Sequence, residues 1–128
     1  MEFYEEKFQN INNLKDLMGS SKNESDYNKY KEQLKREIEI VSRYTRMLEQ
    51  DGVLKMNKEE LREYTGDNGT SKYVAVHGII YDLTNAPQLE YAPHCQIEGG
   101  TDVTKMFNEC HGYNYAILDK LPRVGILI

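Results

Sequence analysis

Tyr73-Val-Ala-Val-His-Gly-Ile-Ile-Tyr-Asp-Leu-Thr84 is the stretch that decides the fold. Its two ends are rich in β-branched and aromatic residues, and His77-Gly78 lies between them as a two-residue turn. The pattern predicts an antiparallel β-hairpin with His77 exposed to solvent at its tip. The apolar run inside it, Val74 to Ile80, is far shorter than the roughly 20 residues a transmembrane helix requires.

Upstream, Val53-Leu-Lys-Met56 reads as a short strand. Asn57 opens a helix, with Glu60 three residues later as its capping-box partner, Leu61 and Tyr64 as its apolar face and Gly66 as its end. Asp67-Asn68-Gly69 is a turn signature. Downstream, 86–98 is irregular and holds Pro87 and Pro93. Gly99-Gly100 suits a close backbone approach or a positive φ. Asp102 caps a helix through Val103, Met106 and Phe107, a further helix covers Tyr113 to Leu121 until Pro122 stops it, and Val124 to Ile128 forms a last strand. The order β-α-β-β-α-α-β predicts an α+β domain with a small sheet and short helices.

The first 52 residues differ. They contain no Pro, one Gly before Gly52, and interleaved charges of both signs. Tyr4, Phe8, Ile11, Leu14 and Met18 recur at helical spacing, as do Tyr27, Tyr30, Leu34, Ile38, Val41, Tyr44 and Leu48. Gly19 separates the two stripes. Ser21 and Glu24 have capping-box spacing, and Ser25 and Asp26 are further cap candidates. An αα-hairpin over 1–52 followed by a mixed module over 53–128 is the expected organisation. The hairpin's stripes pack on each other, on the module, or on a second copy.

Composition narrows the function. The chain has 128 residues, 16 basic and 21 acidic side chains and a net charge of −5. Its mean hydropathy is −0.73. An acidic chain without clustered Lys and Arg is not a general nucleic-acid binder. Residues 1–6 lack the basic and apolar regions of a signal peptide, so a reducing, cytoplasmic compartment is expected, where Cys95 and Cys110 stay thiols. Cys110 then packs as a small hydrophobe and Cys95 is exposed. No phosphate loop, nucleophile elbow, HExxH or CxxC motif is present. Two histidines stand apart. His94 lies in the irregular segment, and His111 follows the helix that Asp102 caps. Imidazole is a common haem-iron ligand. Ile97, Val103, Met106, Phe107, Ile117, Leu118 and Leu121 surround the two histidines in sequence, and are the residues that would line an apolar slot. Spacing alone leaves structural or exposed histidines as the open alternative.

Residues 55–128 resemble the cytochrome b5-like haem/steroid-binding domain family. Asn57-Lys-Glu-Glu-Leu-Arg-Glu-Tyr-Thr-Gly66 is similar to the family's opening helix, and Tyr73 to Thr84 to its hairpin, nearly position for position. Gly99-Gly-Thr-Asp-Val-Thr-Lys-Met-Phe107, Cys110-His-Gly112 and Ile117-Leu-Asp-Lys-Leu-Pro-Arg-Val-Gly125 resemble segments of short bacterial members. The family's HPGG turn around the first haem histidine is missing, and His94 is the histidine in the corresponding, shorter connection. His111 matches the second axial histidine. The membrane-associated progesterone-receptor branch uses a Tyr in about the place of His94, which puts Tyr91 in reserve as a ligand.

The resemblance implies non-covalent haem b held by His94 and His111, and single-electron transfer without enzymatic turnover. Glu90, Glu98 and Glu109 would ring the haem edge and steer a basic redox partner protein. The alternative of another class is a haem sensor or apolar-ligand (steroid-like) binding and assembly module, in which the hairpin docks a partner or forms a homodimer.

Overall fold

The computed structural model describes residues 2–85, 97–111 and 115–128, with the backbone alone at Glu2, His111 and 115–117. The chain forms two compact units, Met1–Arg46 and Met47–Ile128.

The first unit holds α1 (Glu2–Gly19) and most of α2 (Glu24–Glu49). They run antiparallel, because the start of α1 meets the end of α2. Phe3 stacks on Tyr44 with ring centroids 3.9 Å apart, Tyr4 sets its edge against Tyr44 at 5.6 Å, and the Tyr4 and Thr45 hydroxyls lie 2.7 Å apart. The cap of α2 is Asn23, whose Oδ1 accepts from the Asp26 N–H at 2.8 Å. Ser21, expected as the cap, instead donates to the Leu17 carbonyl at the end of α1.

Each buried face keeps one residue of its apolar stripe, Leu14 or Tyr44, and otherwise departs from it. Lys7 and Glu37 are buried and paired at 3.3 Å, whereas their apolar neighbours Phe8 and Ile38 are 54% and 50% exposed. Leu14, Ile40 and Tyr44 complete the buried set of this unit. Pattern reading assigns the core to the apolar residue of each pair. The structure assigns it to the charged one, because the two charges compensate each other there.

In the second unit, β1 (Leu54–Met56), β2 (Tyr73–Val76), β3 (Ile79–Asp82), β4 (Thr101–Asp102) and β5 (Arg123–Leu127) form one sheet in the order β1-β5-β3-β2-β4. β1 and β5 are parallel, with Leu54 opposite Gly125. β5 is antiparallel to β3, and β3 to β2, while β2 and β4 are parallel. The helices are α3 (Lys58–Leu61), α4 (Thr104–His111) and a 3-10 turn of helix over Tyr115–Lys120. The expected capping box is present: Asn57 Oδ1 accepts from Glu60 N–H, and the Glu60 carboxylate accepts from Asn57 N–H. Of the predicted helix over Tyr113 to Leu121, Tyr115–Lys120 is a 3-10 segment and Tyr113 lies outside the described residues, and β4 is a strand that the glycine-rich sequence there hides.

The hairpin is as the sequence predicts, with four facing pairs from Tyr73↔Asp82 to Val76↔Ile79. His77 and Gly78 have φ of 49° and 79°, the two positive values of a type I′ turn. Met56, Leu61, Ala75 and Ile80 form a buried cluster, with the stacked rings of Tyr64 and Tyr73 packed against it. Val74, Val76, Ile79 and Tyr81 alternate onto the opposite face and are also buried. Tyr81 is therefore a core residue.

Burial pushes the Tyr44 hydroxyl above its ordinary pKa, with Tyr4 adding to the rise. The folded state holds that proton more tightly than the unfolded chain does. Stability is therefore unaffected by this group below about pH 10 and falls as pH rises beyond it, by at most about 1.4 kcal/mol per pH unit. Denaturant titrations between pH 8 and 11.5 should show this fall in the wild type and a weaker one in Tyr44→Phe. Lys7→Met should destabilise the chain by about 3–5 kcal/mol, because it strands the Glu37 carboxylate. Lys7→Met/Glu37→Leu should recover most of that loss in the same denaturant assay.

Candidate functional site

The site is built outward from β2. Val74 and Ala75 face Thr101 and Asp102 of β4. The Gly100 N–H donates to the Tyr73 carbonyl at 2.6 Å, and the Val103 N–H to the Ala75 carbonyl at 2.9 Å. These bonds fix the segment that launches α4. Its first turn is held by Asp102, whose Oδ1 accepts from both the backbone N–H and the hydroxyl of Thr104, at 3.0 and 2.6 Å. The expected capping role of Asp102 is thus met from two residues ahead of the first helical residue, Thr104. Gly99 and Gly100 serve the two purposes expected of them. A Cβ at Gly99 would collide with the Thr65 carbonyl, and Gly100 has a φ of 82°.

The Thr104 hydroxyl also accepts from the His77 N–H at 2.9 Å. On the other side of the turn, the Leu127 N–H donates to the Gly78 carbonyl. The hairpin tip is thus enclosed between α4 and the end of β5, and His77 is buried. This corrects the expectation of an exposed turn residue. The turn chemistry was legible, but the elements that cover it are remote in sequence.

From this platform the buried Val103 leads into α4, which holds the buried Phe107 and has His111 as its last residue. The helix packs against β2. Among the other expected lining residues, Leu118 is buried and Ile97, Met106 and Leu121 are half-buried. The side chains of His111 and Ile117, and all of Tyr91 and His94, lie outside the described residues. A shallow groove of about 480 Å³ lies beside α4, with Val103 and Met106 as its apolar members and Glu98, Asp102, Glu109 and Lys105 among its polar ones. Among the described residues, no three His, Cys, Asp or Glu side chains cluster as ligands for a bare metal ion.

Cys110 is disulfide-bonded. This overturns the expectation of a thiol packed as a small hydrophobe. Two cysteines fifteen residues apart carry no sign in sequence of whether their Cα atoms come within the 4.4–6.8 Å or so that a disulfide requires. The chain's other cysteine, Cys95, lies outside the described residues.

No family model matches this chain, and no curated protein does. Solved structures do. A cytochrome b5 domain protein of Methanococcoides burtonii is 32% identical, with 97% of that protein and 59% of this chain covered and a TM-score of 0.49. A cytochrome b5 domain protein from Hadesarchaea is 29% identical, with 100% and 59% covered and the same TM-score. Identity at that level, sustained over nearly the whole Methanococcoides protein, shows that the chain belongs to the cytochrome b5 domain family. Its fold is the α+β arrangement expected of that family, preceded by a helical hairpin. Among the described residues, no helix is long and apolar enough to cross a membrane.

Gly99→Ala should cost about 1–3 kcal/mol, because the carbonyl it meets is backbone and cannot rotate away. A urea midpoint lowered accordingly is the expected result, and an unchanged midpoint would show that β4 can shift without loss.

Proposed function

We propose that the chain is a non-covalent b-type haem protein that passes single electrons. Membership of the cytochrome b5 domain family carries this reading, supported by the helix that delivers His111 from a buried apolar base at Val103 and Phe107. Haem brings four nitrogen donors of its own and takes only axial side chains from the protein. His111 would serve as one ligand and His94 as the second, with Tyr91 in reserve. Bound haem supplies an iron that gains and loses one electron. The protein's part is to hold the ring in an apolar slot, with Ile97, Val103, Met106, Phe107, Ile117, Leu118 and Leu121 as lining, and to occupy both axial positions. With both filled, the protein is a carrier and not an enzyme.

Glu98 and Glu109 are exposed beside α4, and with Glu90 they would guide a basic redox partner. The second reading is a haem sensor, or a module that binds an apolar ligand and assembles with a partner or a second copy. It draws on the exposed Phe8, Leu17, Tyr27 and Ile38 of the hairpin. Cytoplasmic residence belongs to the proposal, and the disulfide puts a condition on it. In a reducing compartment such a bond is transient and responsive.

Titration of the full chain with ferric haem should give one equivalent bound and a low-spin Soret spectrum. His111→Ala should weaken binding by more than about tenfold, or about 1.4 kcal/mol, and His94→Ala should leave a high-spin species. Unchanged affinity and spectrum in both variants would overturn the ligand assignment. A wild-type spectrum that is high-spin and reactive toward CO would favour the sensor reading.

A further inference from the structure

We propose that one face of the helical hairpin is a dimer interface, occupied by a second copy of this chain with α1 laid on α1 in the reverse direction. This arrangement rests on the assembly reading of the hairpin, fixes the occupant that reading leaves open, and does not depend on haem.

The face follows from the buried ion pair. Lys7 and Glu37 are buried where α1 meets α2. Phe8 and Ile38 each come one residue later, so each is turned by about 100° from its buried neighbour, in the same sense. Two antiparallel helices are related by a two-fold axis perpendicular to the plane they share. That operation keeps both turns on one side of the plane, so Phe8 and Ile38 emerge together. Tyr27 is exposed on the Ile38 side of α2, and Ile11, Leu34 and Val41 are half-buried beside these three. The 18 residues of α1 span about 27 Å, and two adjacent helices are about 20 Å across, so two such faces laid together cover about 1,100 Å². A specific interface needs about 1,000 Å².

Charge selects the arrangement. The exposed Glu5 and Lys15 lie on the Phe8 side of α1, three residues before Phe8 and seven after it, and the exposed Lys31 lies on the Ile38 side of α2, seven before Ile38. The contacts of Phe3 with Tyr44 and of Lys7 with Glu37, continued along the hairpin, bring Lys15 level with Lys31. Two copies can stack these faces symmetrically in two ways. With the two-fold along the helices, α1 lies on α2 of the second copy and Lys15 falls on Lys31, so like charges meet. With the two-fold across the helices, α1 lies on α1 in reverse. Lys15 then falls on Glu5 of the second copy, twice by symmetry, and the same reversal brings Ile38 against Leu34. The apolar residues supply the area, and the two ion pairs at the rim set the direction.

The test is analytical ultracentrifugation of the full chain at up to about 0.5 mM, with circular dichroism on each variant to show that the helices are kept. The wild type should sediment as twice 14.9 kDa. Phe8→Asp should raise the dimer Kd at least about tenfold. Glu5→Lys and Lys15→Glu should each weaken the dimer, because each sets like charges together twice. The double variant Glu5→Lys/Lys15→Glu should restore it, a rescue that structural damage would not give. A wild-type monomer at every concentration would overturn the proposal, and one that still takes up haem would leave the haem reading standing. A dimer indifferent to Phe8→Asp would place the interface elsewhere and overturn this face, while leaving the assembly reading intact. Charge variants that the double substitution fails to rescue would overturn the reversed packing of α1. A dimer that responds as expected and takes up no haem would support this interface and overturn the haem reading alone.

Discussion

The two-residue pairing of Val74 and Ala75 with Thr101 and Asp102 is the constraint on which the site depends. It is short, but it comes between a buried central hairpin and the helix that carries His111. Asp102 belongs to the strand and holds the first turn of the helix, so strand register and helix position are set together. Thr104 then joins the helix to the hairpin tip. A slip of one residue in β4 would reverse the faces of Thr101 and Asp102 and rotate everything that follows. The backbone contact at Gly99 works against such a slip, because a side chain there would meet the Thr65 carbonyl.

The helical hairpin obeys a different constraint. Its aromatic contacts at Phe3, Tyr4 and Tyr44 clamp one end, and the Lys7–Glu37 pair sits one to two turns further in. A buried ion pair contributes little net stability but is costly to break on one side only. It therefore specifies how the two helices face each other more than it strengthens their association. With the charged residues inside, Phe8 and Ile38 are left at the surface, and these exposed side chains are what the assembly reading of the hairpin draws on.

Much of this was legible in the sequence, and for a common reason. The Tyr73–Thr84 hairpin, its His77-Gly78 turn, the Asn57 capping box and the role of Asp102 are settled by residues within a few positions of one another, so local propensity and pattern express them directly. The order of motifs along 55–128 likewise placed the family. What only the tertiary structure decided involves partners far apart in the chain. Nothing in the sequence pairs Lys7 with Glu37, because the two lie thirty residues apart. The sequence shows His77 as an exposed turn, because Thr104 and Leu127, which flank that turn, come much later. It shows Cys110 as a thiol, because a disulfide depends on Cα proximity, which folding creates and spacing does not record.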